Sequence, residues 1–260
     1  SVARLLLTLR YKGTAYHGWQ VQRNGITVQE TLQNAVERVT GVRSGVTGCS
    51  RTDAGVHADM FCCAMDTASL LRGGKMVRAL NACLPPDIAV YDCREVPQEF
   101  HPRYQALGKR YVYRFWNAPA RNPFYADTTV QVMRPLPVEA MSRAAADFCG
   151  THDFAAFCAA GSTVEDTVRT VTDSRVTASG PLVRFEVAAD GFLYNMVRIM
   201  AGTLLDMAAG RIPFDAIPAV LESRDRARAG TTAPAQGLFL KAVYYPEEVV
   251  GTWPSMTNHP

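Results

Sequence analysis

Residues 4–10, "RLLLTLR", form an apolar run that reads as a strand. "YKGTAYHGWQVQRNG" follows at 11–25, and Gly13, Gly18 and Gly25 mark it as a loop or loosely paired strand end. Thr27 with Glu30 matches a capping box. Val28, Leu32, Ala35, Val36 and Val39 then recur at helical spacing, which predicts an amphipathic helix over 28–39. Further on, 56–66 reads as a strand, 75–83 as a helix stopped by Pro85-Pro86, and 88–96 as a strand. The second half repeats this grammar loosely. "RYVYRFWN" at 110–117 alternates as a strand, and Pro137 opens a helix running to about Cys149. Strands at 168–177 and 182–189 are joined through "ASGP", a hairpin turn. Residues 192–208 put Leu193, Met196, Val197, Met200 and Leu204 on one helical face. A short helix near 214–223 and a closing strand at 238–245 complete the pattern. Two αβ halves of similar size, 1–104 and 105–260, suggest an internal duplication.

The composition changes this picture little. At 260 residues and 48% hydrophobic, the chain can bury a real core. A net charge of +3 is too small to mark a nucleic-acid binder by itself. The cations are unusual in kind, with 23 arginines against four lysines. Arginine suits bidentate phosphate contacts and stacking on bases, although a GC-rich genome gives the same bias. Seven cysteines without a CxxC pair point to a reducing cytosol, not to a disulfide framework or a zinc site. No signal peptide and no membrane-spanning stretch is expected.

Three constellations carry candidate chemistry. In "GCSRTDAGVHADMF", residues 48–61, Asp53 stands at a turn two residues from Arg51. It is either a cap or surface pair, or an ionised carboxylate held by nearby cations and able to act as nucleophile or base. His57 and Asp59 raise a metal-dependent hydrolase as a competing reading, but no other cluster completes a coordination sphere. The second constellation spans 100–126. It carries Arg103, Lys109, Arg110, Arg114 and Arg121 and not one acidic residue, interleaved with Tyr104, Tyr111, Tyr113, Phe115 and Trp116. Cations with aromatic faces suit an RNA groove. Alternation puts Tyr111, Tyr113 and Phe115 on one face and Val112 and Arg114 on the other. Tyr113 and Phe115 read as core, while Tyr111, beside the basic pair, is either core or site. The third is Arg198, inside an apolar helix, where a charge is costly unless paired. It lies on the helix's polar side or reaches a carboxylate in a cleft.

"GCSRTDAGVHA" closely resembles the catalytic motif of the tRNA pseudouridine synthase A family. "YKGTAYHGWQVQ", "LNACLPPDIAV", "FHPRYQALGKRYVYRF", "GTHDFAAF", "TVRTV", "GFLYNMVRIMAGTL" and "TAPAQGLFL" resemble its other blocks, in order, over nearly the whole chain. Lys12 departs from the family's usual aspartate. The resemblance implies isomerisation of uridine to pseudouridine at positions 38, 39 and 40 of the tRNA anticodon stem-loop. Asp53 would be the catalytic aspartate, with Arg51 and Arg198 keeping it ionised. Tyr111 would stack on the target base and assist the final proton removal, and Leu238 would line the pocket. Arg103, Lys109, Arg110 and Arg114 are candidate RNA contacts. The implied fold is α+β: two ferredoxin-like halves sharing one continuous antiparallel sheet, with the catalytic cleft between them. No metal or other cofactor is implied, and the expected partners are tRNA and a second copy in a cytoplasmic homodimer. A non-catalytic RRM-like RNA-binding module is the main alternative, since it needs the aromatic and basic strand but not Asp53.

Overall fold

Leucines 5, 6, 7 and 9 are fully shielded from solvent in the computed structural model, which describes residues 1–252. The last eight positions assigned above to the C-terminal half lie outside the described residues. A strand covered on both faces takes a continuous apolar run instead of an alternating one. This strand is β1 (Ala3–Tyr11), and within the sheet its two edges are paired as well, with β4 and β3. Along the chain follow α1 (Val28–Thr40), β2 (Thr47–Gly48), β3 (His57–Thr67), α2 (Gly73–Cys83), β4 (Ile88–Val96) and β5 (Gly108–Asn117). Next come β6 (Val130–Val132), α3 (Val138–Ala146), β7 (Gly150–Asp153), β8 (Val168–Ser179) and β9 (Leu182–Ala189). The chain continues through α4 (Met196–Ala208), α5 (Ile217–Ser223), β10 (Leu238–Tyr244) and α6 (Glu247–Val250). The Thr27 side chain caps α1 by accepting from the Glu30 amide, and Gly41, at φ 78°, ends it.

The strands form one sheet in the order β4-β1-β3-β10-β5-β9-β8-β7, with β2 beside β3 and β6 beside β5. It is continuous across both halves, but mixed instead of antiparallel throughout. Strands run antiparallel within each half, apart from the short β5·β6 pair. At the seam, β10 pairs parallel with β3 through Phe239↔His57 and Leu240↔Ala58. The parallel seam arises because β10, the last strand of the chain, inserts between the two halves while pairing antiparallel with β5. It brings the start of β3, and the turn before it, next to β5 and α4.

The helix expected over 192–208 begins only at Met196. Asn195 takes a left-handed backbone (φ 59°), which breaks the helical path and leaves 192–195 as a loop. The short strands β2, β6 and β7 escape the sequence pattern because two to four residues are too few to establish a period.

Three segments are stitched together at His57. Its Nδ1 accepts from the Gly13 amide at 2.9 Å, and its Nε2 faces the carbonyls of Asp127 and Gln236, each at 3.0 Å. Two carbonyls require Nε2 to carry the proton, so the ring is neutral, and burial pushes its pKa down. Lys12 adds an ion pair to Asp127 at 2.6 Å. Gly13 lies so close to the turn that a Cβ there would stand 1.9 Å from the Val56 carbonyl oxygen. Gly13→Ala is therefore expected to lower the unfolding free energy by about 1–3 kcal/mol, as overpacking does. Urea titration checks this, and an unchanged midpoint contradicts it.

Candidate active site

Asp53 is fixed from behind by its neighbours. The Thr52 hydroxyl is buried against the Tyr11 hydroxyl at 2.6 Å, and the Thr52 carbonyl accepts from the Trp19 amide at 3.1 Å. Gly18, at φ 82°, passes so close that a Cβ would meet the Thr52 oxygen at 2.5 Å. The Val56 amide donates to the Asp53 carbonyl at 3.1 Å and closes the turn. The carboxylate is left half-buried, facing the other half of the chain.

Arg198 meets it from the first turn of α4, with Nη1 3.5 Å from Asp53 Oδ2. The guanidinium is anchored by Nε donating to the Ala233 carbonyl at 2.8 Å and by Nη1 donating to Asn195 Oδ1 at 3.4 Å. The two readings of Arg198 left open by the sequence thus resolve to a guanidinium reaching a carboxylate. Burial raises the Asp53 pKa above its ordinary value, and Arg198 opposes the rise. This differs from the expectation that nearby cations keep the carboxyl acidic: desolvation is the larger effect. Arg51 is exposed at the cleft's edge, and Arg198 is the cation at hydrogen-bond distance.

Arg51, Asp53, Arg103, Lys109, Tyr111, Arg198 and Leu238 line one cleft over the seam. Tyr111, on β5, packs its ring edge-on to Phe192 at 4.9 Å and turns its hydroxyl toward Ser50 Oγ at 3.4 Å. Burial pushes its phenol up to about 12, so it is protonated at neutral pH. Burial pushes Lys109 down, and Arg103 adds to that. Arg110 and Arg114 are not in the cleft. Alternation along β5 turns them to the opposite face of the sheet, where Arg110 pairs with Asp173 at 2.7 Å and Arg114 lies over Phe239. Tyr113 and Phe115 are core.

His57, Asp59 and Asp53 do not converge. Both nitrogens of His57 are engaged with backbone, and Asp59 pairs with Lys241 at 3.2 Å. Among the described residues no group of three or more His, Cys, Asp or Glu side chains is placed to hold a metal ion. The sequence reading missed Ser50, Phe192, Tyr194 and Asn195 as cleft residues. The signal for the last three was hidden by treating 192–195 as helix.

Residues 8–105 and 144–246 match the family described as tRNA pseudouridine synthase. The chain is 47% identical over 239 residues to tRNA pseudouridine synthase A of Acetivibrio thermocellus, covering 92% of this chain and 98% of that protein. It is 45% identical over 243 residues to the protein of that name from Ruminiclostridium cellulolyticum, covering 93% and 99%. The protein of that name from Myxococcus xanthus is 46% identical over 243 residues, covering 93% and 92%. Among solved structures, one titled as a Cbf5-Nop10-Gar1 complex aligns with 75% of this chain and 52% of its own, at 12% identity and a TM-score of 0.32.

The raised Asp53 pKa has a consequence for stability. A carboxyl whose folded pKa lies above its unfolded one favours folding when protonated, and that contribution disappears as pH rises through the folded value. Asp53→Asn removes the titration. Its unfolding free energy relative to wild type is therefore expected to increase as pH is raised from about 3, below the ordinary carboxyl value, to 7. Denaturant titrations across that range check the sign; a constant or shrinking difference contradicts it.

Proposed function

This chain belongs to the tRNA pseudouridine synthase family, and we propose that its cleft isomerises uridines 38, 39 and 40 of the anticodon stem-loop with Asp53 as the catalytic carboxylate. The reaction class, uridine to pseudouridine in tRNA, follows from the family. The observation that supports the residue assignment is the Asp53–Arg198 ion pair across the seam, inside a cleft also lined by Tyr111 and Leu238.

The isomerisation breaks the N1–C1′ bond, turns the base, joins C5 to C1′, releases the C5 proton and takes up one proton at the freed N1. No electrons enter or leave, so the balance needs no oxidant or reductant. Attack on C1′ and removal of a ribose proton both require the ionised carboxylate, and Arg198 favours that form. The uridine must leave its stack to reach Asp53. The Tyr111 ring offers it a face, and Leu238 an apolar wall. Because the Tyr111 phenol is protonated at neutral pH, it assists removal of the C5 proton only as a relay that passes its own proton on. Arg51, Arg103 and Lys109 suit the phosphates flanking the flipped nucleotide. The two halves, divided near residue 104, act as the two walls of this cleft through residues 50–103 of the first and 109–238 of the second.

We further propose a cytoplasmic homodimer. The location is supported by the seven cysteines, which stand as free thiols among the described residues. The dimer rests on the resemblance of the sequence blocks.

Asp53→Asn keeps size and shape and removes charge. The variant is expected to bind tRNA with wild-type affinity and to lose nearly all pseudouridine formation, read by tritium release from uridine labelled at C5. Turnover above a few per cent of wild type contradicts the assignment; loss of turnover together with binding contradicts the division between chemistry and recognition.

A further inference from the structure

The sheet face turned away from the cleft carries two positive charges that its own residues do not balance. Most cations there are paired. Arg110 meets Asp173 at 2.7 Å and Glu186 at 3.2 Å, Arg175 reaches the same two carboxylates, and Lys241 meets Asp59. Arg114 and Arg184 differ. They stand directly opposite each other in the β5·β9 ladder, and among the described residues neither side chain has a carboxylate or a hydrogen-bond acceptor. Like charges directly across an antiparallel pair destabilise it.

Arg114 is also held in place. Its guanidinium lies 5.0 Å from the Phe239 ring and 5.5 Å from the Tyr125 ring, and Tyr125 is itself stacked on Trp116 at 4.7 Å. Its Nε is buried without a partner, a costly state for a charged donor. Burial pushes the Arg114 pKa down and the charge of Arg184 adds to that, against a smaller opposing pull from Tyr125 and from Asp59, which is itself paired with Lys241. Both arginines open into a shallow depression floored by Val112, Leu182 and Phe239. Asp59 and Glu186 border it, but each is already engaged by the cations named above.

We propose that Arg114 and Arg184 form a phosphate-binding site on the sheet face opposite the catalytic cleft. Two planar guanidinium forks side by side match a tetrahedral oxyanion, and binding one offsets the cross-strand repulsion. A lone carboxylate side chain carries fewer acceptor oxygens and one charge for two cations. The phosphate is a phosphodiester of RNA or free phosphate, and the site stands whether or not Asp53 is the catalytic carboxylate.

The test uses the full chain, Arg184→Gln and Arg114→Met, the second keeping an apolar stem over Phe239. Thermal unfolding is followed in inorganic phosphate and in sodium chloride of matched ionic strength. Phosphate is expected to raise the wild-type midpoint above that in chloride. Arg184→Gln is expected to melt higher than wild type in chloride and to lose the phosphate effect. A second arm measures tRNA affinity against salt. If RNA is the source, Arg184→Gln lowers the slope of log affinity against log salt by about 0.7–0.9 per lost phosphate contact and raises KM with kcat unchanged. If free phosphate is the source, the slope stays as in wild type while the phosphate shift is lost. The proposal is overturned if wild type shows no phosphate-specific shift, or if Arg184→Gln retains it. It is also overturned if the substitution changes the oligomeric state without touching the phosphate response, which would assign the pair to a contact with a second copy.

Discussion

A single carboxylate–guanidinium contact, Asp53 with Arg198, depends on most of what else the fold does. The two residues are 145 positions apart, one in the turn before β3 and the other on α4, in different halves of the chain. They meet because β10 inserts in parallel beside β3 and antiparallel beside β5. Each partner is then fixed from its own side. The Asp53 turn is clamped by the Thr52–Tyr11 hydroxyl contact and by the close passage of Gly18. Arg198 is aimed by Asn195 and by the Ala233 carbonyl. The loop carrying Ala233 is pressed onto α4 where Gly202 leaves no room for a Cβ: one there would stand 1.6 Å from the Thr231 oxygen. Half-burial makes the charge on Asp53 costly, and the guanidinium opposes that cost.

The same sheet separates two kinds of arginine. On β5, alternation sends Lys109 and Tyr111 to the cleft and Arg110 and Arg114 to the far face. The far face is not a passive surface. Part of it is a closed network in which Arg110 and Arg175 share Asp173 and Glu186. Beside that network stand the two arginines without carboxylates. The cleft gathers Arg51, Arg103, Lys109 and Arg198 around Asp53; the far face carries its charge on the β5·β9 ladder.

Much of this was legible in the sequence, for reasons that can be named. β1 and β3 show as apolar runs because both of their faces are covered, and α1 shows through its spacing and its Thr27 cap. Asp53 could be singled out because a carboxylate at a turn beside an arginine is chemically conspicuous, yet the arginine two residues away is not the one that pairs with it. Side chains two apart on a turn need not point the same way, and Arg51 points to solvent. Tyr111 reads as either core or site from the sequence; it is buried, with its hydroxyl turned toward Ser50 at the cleft. Arg110 and Arg114 were grouped with the groove by composition, although the alternation read from the same strand sends them elsewhere. The αL backbone at Asn195 has no sequence signature stronger than the residue's tolerance for it. The seam itself could not be read, because strand order across a sheet is a long-range property that local patterns do not encode.

The central claim is that the Arg198 guanidinium favours the ionised form of Asp53 across the seam. The most direct measurement is kcat/KM against pH for wild type and Arg198→Met, since its acid limb reports the free enzyme's essential carboxylate. With the guanidinium gone, burial acts on Asp53 unopposed, so the acid limb is expected to move to higher pH as well as the maximum to fall. Arg198→Lys is expected to restore the limb in part, because a point charge replaces a planar fork. Superimposable profiles for wild type and Arg198→Met would contradict the account, since the guanidinium would then have no influence on the ionisation that carries the chemistry.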